Sequence, residues 1–235
     1  MNVKKPQTIA VIGAMNEEIE ILKSTLNSTE ECDISSFDYY VGEYAGHRVI
    51  VAKSDIGKVN AAIITSLLIN EFHPDVIINT GSAGGLSAKV KVGDVIIGET
   101  FSYHDVDVRA FNYEYGQVPG LPKAFSSNPR LIDTAKEAAR VSKLTTHIGL
   151  ICSGDSFISD NKRINEIREY FPEILAVEME STAVAQTCHR LNTPYIIIRS
   201  ISDNANDDAH VDFYEFLKTA SKHSAEFVLN IIERL

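Results

Sequence analysis

The sequence predicts an α/β fold: one domain over residues 1–235, built on a mixed, mostly parallel, twisted β-sheet surrounded by helices. Apolar, β-branched runs alternate with segments of helical periodicity along nearly the whole chain. Most of these runs are apolar on both faces, as are strands buried between two layers of helices. We find no linker, repeat or low-complexity tract, and 235 residues suit one domain.

The first third of the chain predicts two strand–helix units. The apolar run TIAVIGAM (8–15) is a buried strand, and a helix follows from Asn16, a suitable N-cap, to about residue 26. Two alternating runs joined by an Ala-Gly turn predict a hairpin over 37–55. Helical spacing of apolar residues then predicts a helix over 58–72, which Pro74 ends.

The middle third contains two strands and one long irregular segment. A strand over 74–85 runs into small residues, and another follows over 90–104. Residues 104–127 show no periodicity and contain aromatic residues, glycines and prolines. A loop of this length inside a compact domain is usually functional or lies at an interface.

In the last part of the chain, apolar runs follow amphipathic segments at short intervals, which predicts a regular alternation of strands and helices. We predict helices at 128–143, 160–171, 181–191 and from about Asp212, and strands at 147–157, 174–179 and 194–203.

Charge and cysteine content exclude several classes of protein. The net charge of −10 argues against nucleic acid or an anionic membrane as a partner, since both require a basic surface. The three cysteines share no short spacing, so we expect free thiols in a reducing compartment. The short apolar run near the N-terminus reads as a first strand rather than a signal peptide, and we expect a cytoplasmic protein.

Carboxylates follow several of the predicted strands, at the edge where ligands of open α/β sheets bind. Glu17 and Glu18 follow the first strand, where phosphate sites would instead have several glycines. Acids in a first helical turn also simply complement the helix dipole. Their side chains point about 100° apart around a helix, so we expect at most one to face a pocket.

Later strand ends carry further acids. Glu178 and Glu180 lie on one face at the end of a strand, and both a sugar-binding role and a first-turn role in the next helix stay open. Asp203 follows an apolar strand, in a loop whose Asn and Asp residues also suit an ordinary turn. As a catalytic acid, Asp203 requires a raised pKa, which partial burial supplies.

Two other groups are ambiguous by themselves. His104, Asp105 and Asp107 hint at a metal, but no second ligand cluster accompanies them, so we expect no metal and no cofactor. Phe157 and Ile158 suit the core, and an exposed Phe157 would also suit stacking on a base.

Taken in order, the motifs VIGAMNEE, SDIGKVNAA, DVIINTGSAGGL, YHDVDVRAFNYEYGQVPG, SGDSFI, AVEMESTAVA and RSISDNAND are specific. The chain resembles the 5′-methylthioadenosine/S-adenosylhomocysteine nucleosidases of the purine nucleoside phosphorylase-like family, from about Ile9 to the C-terminal helix. The resemblance implies a nucleoside phosphorylase-like fold and a homodimer. It also implies hydrolysis of the N-glycosidic bond of adenine thionucleosides, giving adenine and methylthioribose or S-ribosylhomocysteine.

The resemblance implies a role for each matching residue. Glu18 corresponds to the base that activates water, and Asp203 to the acid that protonates adenine N7. The residues that correspond to substrate contacts are Ser82, Ala83 and Gly84 beside the nucleoside, Phe157 and Ile158 at adenine, Met179 and Glu180 at the ribose, and Met15, Ile56 and Phe213 around the ribose and 5′-thio group. The loop at 104–122, with Val108, Phe111 and Pro119, corresponds to the one that completes the neighbouring subunit's 5′ pocket.

An acidic turn agrees with water as the nucleophile. A carboxylate can deprotonate water on one face of the sugar while an acid neutralises the departing base, as in inverting glycoside hydrolysis. Phosphate at that position would be repelled by Glu18. Two alternatives remain: a nucleosidase for another adenine nucleoside, such as 6-amino-6-deoxyfutalosine, and a catalytically inactive nucleoside-binding protein.

Overall fold

Ten strands form one continuous sheet in the computed structural model, which describes residues 5–205 and 209–235. The strands are β1 (Thr8–Gly13), β2 (Asn27–Ile34), β3 (Phe37–Tyr44), β4 (His47–Lys53), β5 (Val76–Gly85), β6 (Val95–Tyr103), β7 (Phe125–Ser126), β8 (Thr146–Ser153), β9 (Ile174–Glu178) and β10 (Tyr195–Asp203). Residues 1–4 and 206–208 of the predicted domain lie outside the described part of the chain.

Half of the sheet closes on itself. Strands β10, β6, β8, β9 and β5 pair in that order, and β5 pairs again with β10. From β5 the sheet extends outward through β1, β4, β3 and β2, while the short β7 pairs with β6. Parallel pairs join β1 to β4 and β5, β5 to β10, and β8 to β6 and β9. The hairpin strands and the pairs β6–β10 and β5–β9 are antiparallel, so the predicted mixed sheet is confirmed.

Helices cover both faces of the sheet, as predicted. In the described residues they are α1 (Asn16–Thr25), α2 (Lys58–Phe72), α3 (Pro129–Val141), α4 (Asn161–Tyr170), α5 (Ser181–Arg190) and α6 (Ala209–Ile232). One core cluster packs α1, α3 and α6 against the sheet, and a second packs α2 and α5. A smaller third cluster lies under α4. None of the described helices has the length and hydrophobicity that crossing a membrane requires.

The sequence analysis missed β2. All but the last of its residues are exposed, so the strand shows no apolar pattern, and its pairing with β3 defines it instead. The predicted irregular segment 104–127 also contains a 3-10 turn at Arg109–Phe111 and the two-residue β7. The last helix begins at Ala209 rather than near Asp212.

The predicted N-cap of α1 is wrong by one residue. Met15 is the N-cap and Asn16 is already helical. The side chain of Glu18 supplies the capping acceptor, since it accepts the Met15 N–H at 3.2 Å. A polar side chain at the cap position is therefore not needed.

The carboxyl ends of β9 and β10 both lie beside the carboxyl end of β5. β5 and β10 are parallel to each other, whereas β9 pairs antiparallel with the last residues of β5, where Gly84 lies opposite Val177. The residues that follow β1, β9 and β10 therefore meet beside the end of β5. This meeting point is where the chain positions its acidic side chains.

Candidate active site

A cavity of about 580 Å³ opens where these strand ends meet. Its lining includes every predicted site residue except three, which belong to the 104–122 loop. Those that line it are Met15, Glu18, Ile56, Ser82, Ala83, Gly84, Phe157, Ile158, Met179, Glu180, Asp203 and Phe213. The fold therefore brings together residues that lie far apart in the sequence.

Glu18 is buried at the cavity wall and held by four donors. One carboxylate oxygen accepts the N–H groups of Ala14 and Met15 at 2.7 and 3.2 Å. The other accepts the N–H and the hydroxyl of Ser82 at 2.9 and 3.0 Å. Glu18 thus caps its own helix, and these hydrogen bonds hold its carboxylate at the cavity wall. Its interaction with the helix dipole and its place in the candidate site are therefore compatible.

The two first-turn acids differ in their burial. Glu17 contributes to the cavity lining and is exposed, whereas Glu18 is only 3% exposed. That only one of the two side chains points into the pocket stays a prediction.

Asp203 lies at the end of β10, where it is 2% exposed. One oxygen accepts the Ala205 N–H at 2.8 Å, and the other accepts the Ser202 hydroxyl at 2.9 Å. Burial raises the pKa of Asp203 although both hydrogen bonds oppose the shift, which is the direction that we predicted for an acid. Gly84 packs closely here, because a Cβ at that position would lie 2.9 Å from Asp203 Oδ1.

Glu178 and Glu180 divide the two roles that the sequence left open. Glu178 accepts the N–H groups of Glu180 and Ser181 at 3.0 and 2.9 Å, so it caps α5. Glu180 is 5% exposed and accepts the Gly57 N–H at 2.9 Å. Arg199 contacts both acids, at 2.5 Å from Glu178 and 3.6 Å from Glu180.

One guanidinium between two buried carboxylates favours ionisation of only one of them. Burial acts to raise the pKa of Glu178, but Arg199 and the hydrogen bonds from Ser153 and the α5 backbone bring it below its usual value. Burial, followed by the charge of Glu178, raises the pKa of Glu180 to about 8. Glu180 is therefore the member of the pair that takes up a proton near neutral pH.

Aromatic residues form the open side of the cavity. Phe157 is 47% exposed, as a side chain available for stacking must be, whereas Ile158 is buried. The Phe157 ring meets that of Phe213 edge to face at 5.8 Å, and Phe213 meets Tyr214 at 5.7 Å. Phe157 thus presents an exposed aromatic ring at the cavity, as stacking on a base requires.

The three remaining predicted residues do not line the cavity of this chain. Val108, Phe111 and Pro119 lie on the 104–122 loop, and the Phe111 side chain is 75% exposed. Their predicted place is in the pocket of a neighbouring subunit, and that prediction is untested.

Sequence analysis gave Arg199 no role beyond its place within a strand. The residue is 1% exposed and donates to Asn79 at 2.8 Å and to Ser181 at 3.2 Å besides the two acids. Its signal in the sequence was a charge inside the apolar run YIIIRSIS, since a buried arginine requires partners. The cavity is also lined by residues to which the resemblance assigned no role: Ala14, Glu17, Ser156, Val177, Glu178, Ser202, His210, Tyr214 and Leu217.

The residues that hinted at a metal have separate partners. Asp105 pairs with Lys58, Asp107 pairs with Arg109, and the ring of His104 is fully buried. Within the described residues, no group of three or more His, Cys, Asp or Glu side chains has the arrangement of a metal site.

The cavity is acidic. Glu17, Glu18, Glu178, Glu180 and Asp203 line it, whereas no lysine or arginine does among the residues that the structure describes. Arg199 does not line the cavity, and its guanidinium pairs with Glu178 and Glu180. An anion such as phosphate would enter against this charge.

Comparison with known proteins identifies the family of the chain. The profile of the Phosphorylase superfamily matches residues 8–233. The 5′-methylthioadenosine/S-adenosylhomocysteine nucleosidase of Bacillus subtilis strain 168 is 49% identical over 228 residues, which cover 97% of this chain and 99% of that protein.

Solved structures give the same result. The nucleosidase of the same name from Neisseria meningitidis, in complex with methylthio-immucillin-A, is 51% identical with a TM-score of 0.96, covering 97% of this chain and all of that one. Futalosine hydrolase of Helicobacter pylori is 33% identical with a TM-score of 0.93, covering 97% and 98%. The chain therefore belongs to the Phosphorylase superfamily and, within it, to the family of the 5′-methylthioadenosine/S-adenosylhomocysteine nucleosidases.

Proposed function

We propose that this glycosidic-bond hydrolase cleaves 5′-methylthioadenosine and S-adenosylhomocysteine, giving adenine and 5-methylthioribose or S-ribosylhomocysteine. The observation that carries the proposal is that Glu18 and Asp203, far apart in the sequence, line one cavity. Each of the two has its carboxyl group fixed by hydrogen bonds from neighbouring backbone and serine groups.

In the proposed reaction, Glu18 takes a proton from water as the water oxygen bonds to C1′ of the ribose. The C1′–N9 bond breaks, its electron pair goes to adenine, and Asp203 gives its proton to N7. Each proton-transfer partner contributes about 10²- to 10⁴-fold in rate. The raised pKa of Asp203 supports the donor role, because it keeps more of the residue protonated near neutral pH.

Substrate binding uses the remaining cavity residues. Glu180 accepts hydrogen bonds from the 2′ and 3′ hydroxyls, with Met179 beside the sugar. Phe157 stacks on adenine while the Ile158 backbone reads the base edge. Ser82, Ala83 and Gly84 pack beside the nucleoside, and Met15, Ile56 and Phe213 enclose the ribose and 5′-thio group.

The active unit that we propose is a homodimer in the cytoplasm. Exposed apolar side chains on one side of α2 support it: Val59 is 67% and Ile63 is 44% exposed. The 104–122 loop would then place Val108, Phe111 and Pro119 at the partner's 5′ pocket, which agrees with their position outside this chain's own cavity.

The test is product analysis with purified protein, with and without phosphate. We expect adenine and a free reducing sugar from both thionucleosides, with no ribose 1-phosphate product. Glu18→Gln and Asp203→Asn should fold, bind nucleoside and lose most turnover. A sugar phosphate product would contradict hydrolysis, and no adenine release at high enzyme concentration would support a binding protein instead.

A second substrate is proposed because a futalosine hydrolase shares this fold. Such a nucleosidase would need the same base, acid and ribose residues. Turnover of 6-amino-6-deoxyfutalosine in the same assay decides between a thionucleoside enzyme and one with dual use.

A further inference from the structure

Three charged side chains form a cluster beside the cavity, outside the residues assigned above. Lys58 Nζ lies 2.6 Å from Asp105 Oδ2 and 3.7 Å from Asp155 Oδ2. Asp105 Oδ2 also accepts the Asp155 N–H at 3.0 Å, and Asp155 Oδ1 accepts the Lys58 N–H at 2.8 Å. We call Lys58, Asp105 and Asp155 the Lys58 clamp.

The Lys58 clamp joins three segments that surround the site. Lys58 begins α2, Asp105 is the second residue of the 104–122 loop, and Asp155 lies two residues before Phe157. The residue before the lysine, Gly57, donates its N–H to Glu180 at 2.9 Å. Two successive N–H groups at the start of α2 thus bind two carboxylates, one in the clamp and one in the cavity.

Gly57 fits this place because of its backbone. Its φ of +103° is a conformation that side chains disfavour, and a Cβ there would lie 3.3 Å from Asp155 Oδ1. A small rotation of this peptide would redirect its N–H away from Glu180. The hydrogen bond that the Lys58 N–H donates to Asp155 Oδ1 opposes that rotation.

We propose that Asp155 is a positioning residue of the nucleosidase, which holds the α2 N-terminus through the Lys58 clamp so that the Gly57 N–H stays on Glu180. The same contacts hold the segment that carries Phe157. The inference rests on the proposed function, since it assigns Asp155 an effect on ribose and adenine binding. Asp155 itself does not line the cavity.

The clamp has an electrostatic consequence that loss of stability alone would not produce. The groups that act on Glu180 are Glu178 from β9, Arg199 from β10, Glu18 from α1 and the Gly57 N–H from the start of α2. Arg199 and, after it, the Gly57 N–H lower the pKa of Glu180, against burial and the two acids. Loosening the clamp should therefore raise the pKa of Glu180 further.

Little stability depends on the clamp. The side chains of Lys58 and Asp105 are 23% and 22% exposed, and that of Asp155 is 49% exposed. Ion pairs with this much exposure contribute little to the free energy of unfolding. Effects on activity can therefore be separated from unfolding.

The experiment compares Asp155→Ala, Asp155→Asn and Lys58→Met with the wild-type enzyme on 5′-methylthioadenosine. We expect Asp155→Ala and Lys58→Met to raise KM about tenfold with kcat nearly unchanged. The reason is that the position of Glu180 affects binding of the substrate and of the transition state equally. Asp155→Asn keeps an oxygen for the Lys58 N–H and should recover most of the loss. In the pH profile of kcat/KM, the acidic limb should move to higher pH.

The matched control is Lys136→Met. Lys136 pairs with Asp133 at 3.3 Å, and both residues lie on α3 and outside the cavity lining. This variant should leave KM and the pH profile unchanged. An unchanged profile in Asp155→Ala, or an equal change in Lys136→Met, would overturn the inference while leaving the hydrolase proposal intact. Absence of adenine release by the wild type would instead refute the proposed function.

Discussion

Ser82 gives both its backbone N–H and its hydroxyl to one carboxylate oxygen of Glu18, at 2.9 and 3.0 Å. The strand end of β5 and the first turn of α1 are thereby joined at the proposed base. This arrangement leaves Glu18 little freedom to rotate, and preorganisation of this kind is what a water-activating carboxylate requires.

Ser82→Ala should lower kcat about tenfold with little change in KM. It removes one of four donors to a buried carboxylate, and hydrogen bonds to charged groups are worth about 1.5–3 kcal/mol. Steady-state kinetics with 5′-methylthioadenosine measure the effect. Ser156→Ala, a cavity serine on the Phe157 segment, is the control, and an equal loss of kcat in both variants would contradict a specific role for Ser82.

Gly81→Ala should abolish most activity and destabilise the fold. A Cβ at Gly81 would lie 2.6 Å from Glu18 Oε1 and would also collide with the Arg199 guanidinium. Overpacking of this kind costs about 1–3 kcal/mol, and displacement of the base should lower turnover about a hundredfold. Turnover and urea denaturation measure the two effects.

The control for that variant is Gly46→Ala, in the β3–β4 turn. Its φ is +83°, and an added Cβ meets no atom within 4 Å. We expect only about 1–2 kcal/mol of backbone strain and normal turnover. If Gly81→Ala also kept normal turnover, the short distance between residue 81 and the Glu18 carboxylate would not matter for activity.

Glu180→Gln should change how stability depends on pH. The pKa of Glu180 is raised from 4.5 to about 8 in the folded protein, so the folded state holds the proton more tightly. Stability from this group is full below pH 4.5 and is lost as pH rises toward 8. The glutamine variant lacks this loss, so its melting temperature should exceed that of the wild type increasingly between pH 5.5 and 9, by an amount equivalent to a few kcal/mol.

Glu180→Gln should also bind nucleoside weakly, because an amide replaces one acceptor oxygen with a donor. Melting curves at three pH values give the stability, and nucleoside titration gives the affinity. A constant difference in melting temperature across this pH range would show that Glu180 titrates normally in the fold.

Arg199→Met should destabilise the protein by about 3–5 kcal/mol, because it leaves Glu178 charged and buried without its partner. Adding Glu178→Gln removes that charge and should recover much of the loss. Urea denaturation of both variants measures the recovery. If the double variant were no more stable than Arg199→Met, packing and not charge would explain the cost.

The sequence sufficed for elements that carry their own pattern. Helix α2 matches its prediction at both ends, since apolar spacing defines it and Pro74 follows soon after its last turn. Strand β2 has no such pattern, because only its pairing with β3 orders it. Patterns report burial, so an exposed edge strand leaves no trace in them.

The sequence predicted many residues of the cavity lining but not the contacts between them. Glu18, Glu180 and Asp203 follow apolar strands and stand out as acids there. The division of labour between Glu178 and Glu180 depends on where Arg199 reaches, which is a property of strand neighbours that are distant in sequence. The Lys58 clamp was hidden for the same reason, because its members come from the start of α2 and two separate loops.

The proposed dimer gives the last prediction. Val59→Glu and Ile63→Glu each place a charge on the exposed apolar side of α2, where Val59 is 67% exposed in the single chain. Burying an unpaired charge in an interface is costly, so both variants should sediment as monomers. KM for 5′-methylthioadenosine should rise about tenfold, because the 5′ pocket would lose the partner's 104–122 loop.

Val141→Glu is the control for these variants. Val141 is 61% exposed at the end of α3, so the change has the same chemistry at a similar exposure on a different face. We expect it to remain a dimer with unchanged KM, measured by sedimentation velocity and by kinetics. If Val59→Glu and Ile63→Glu also stayed dimeric, the α2 face would not be the interface, and the loop would need another way to reach a neighbouring pocket.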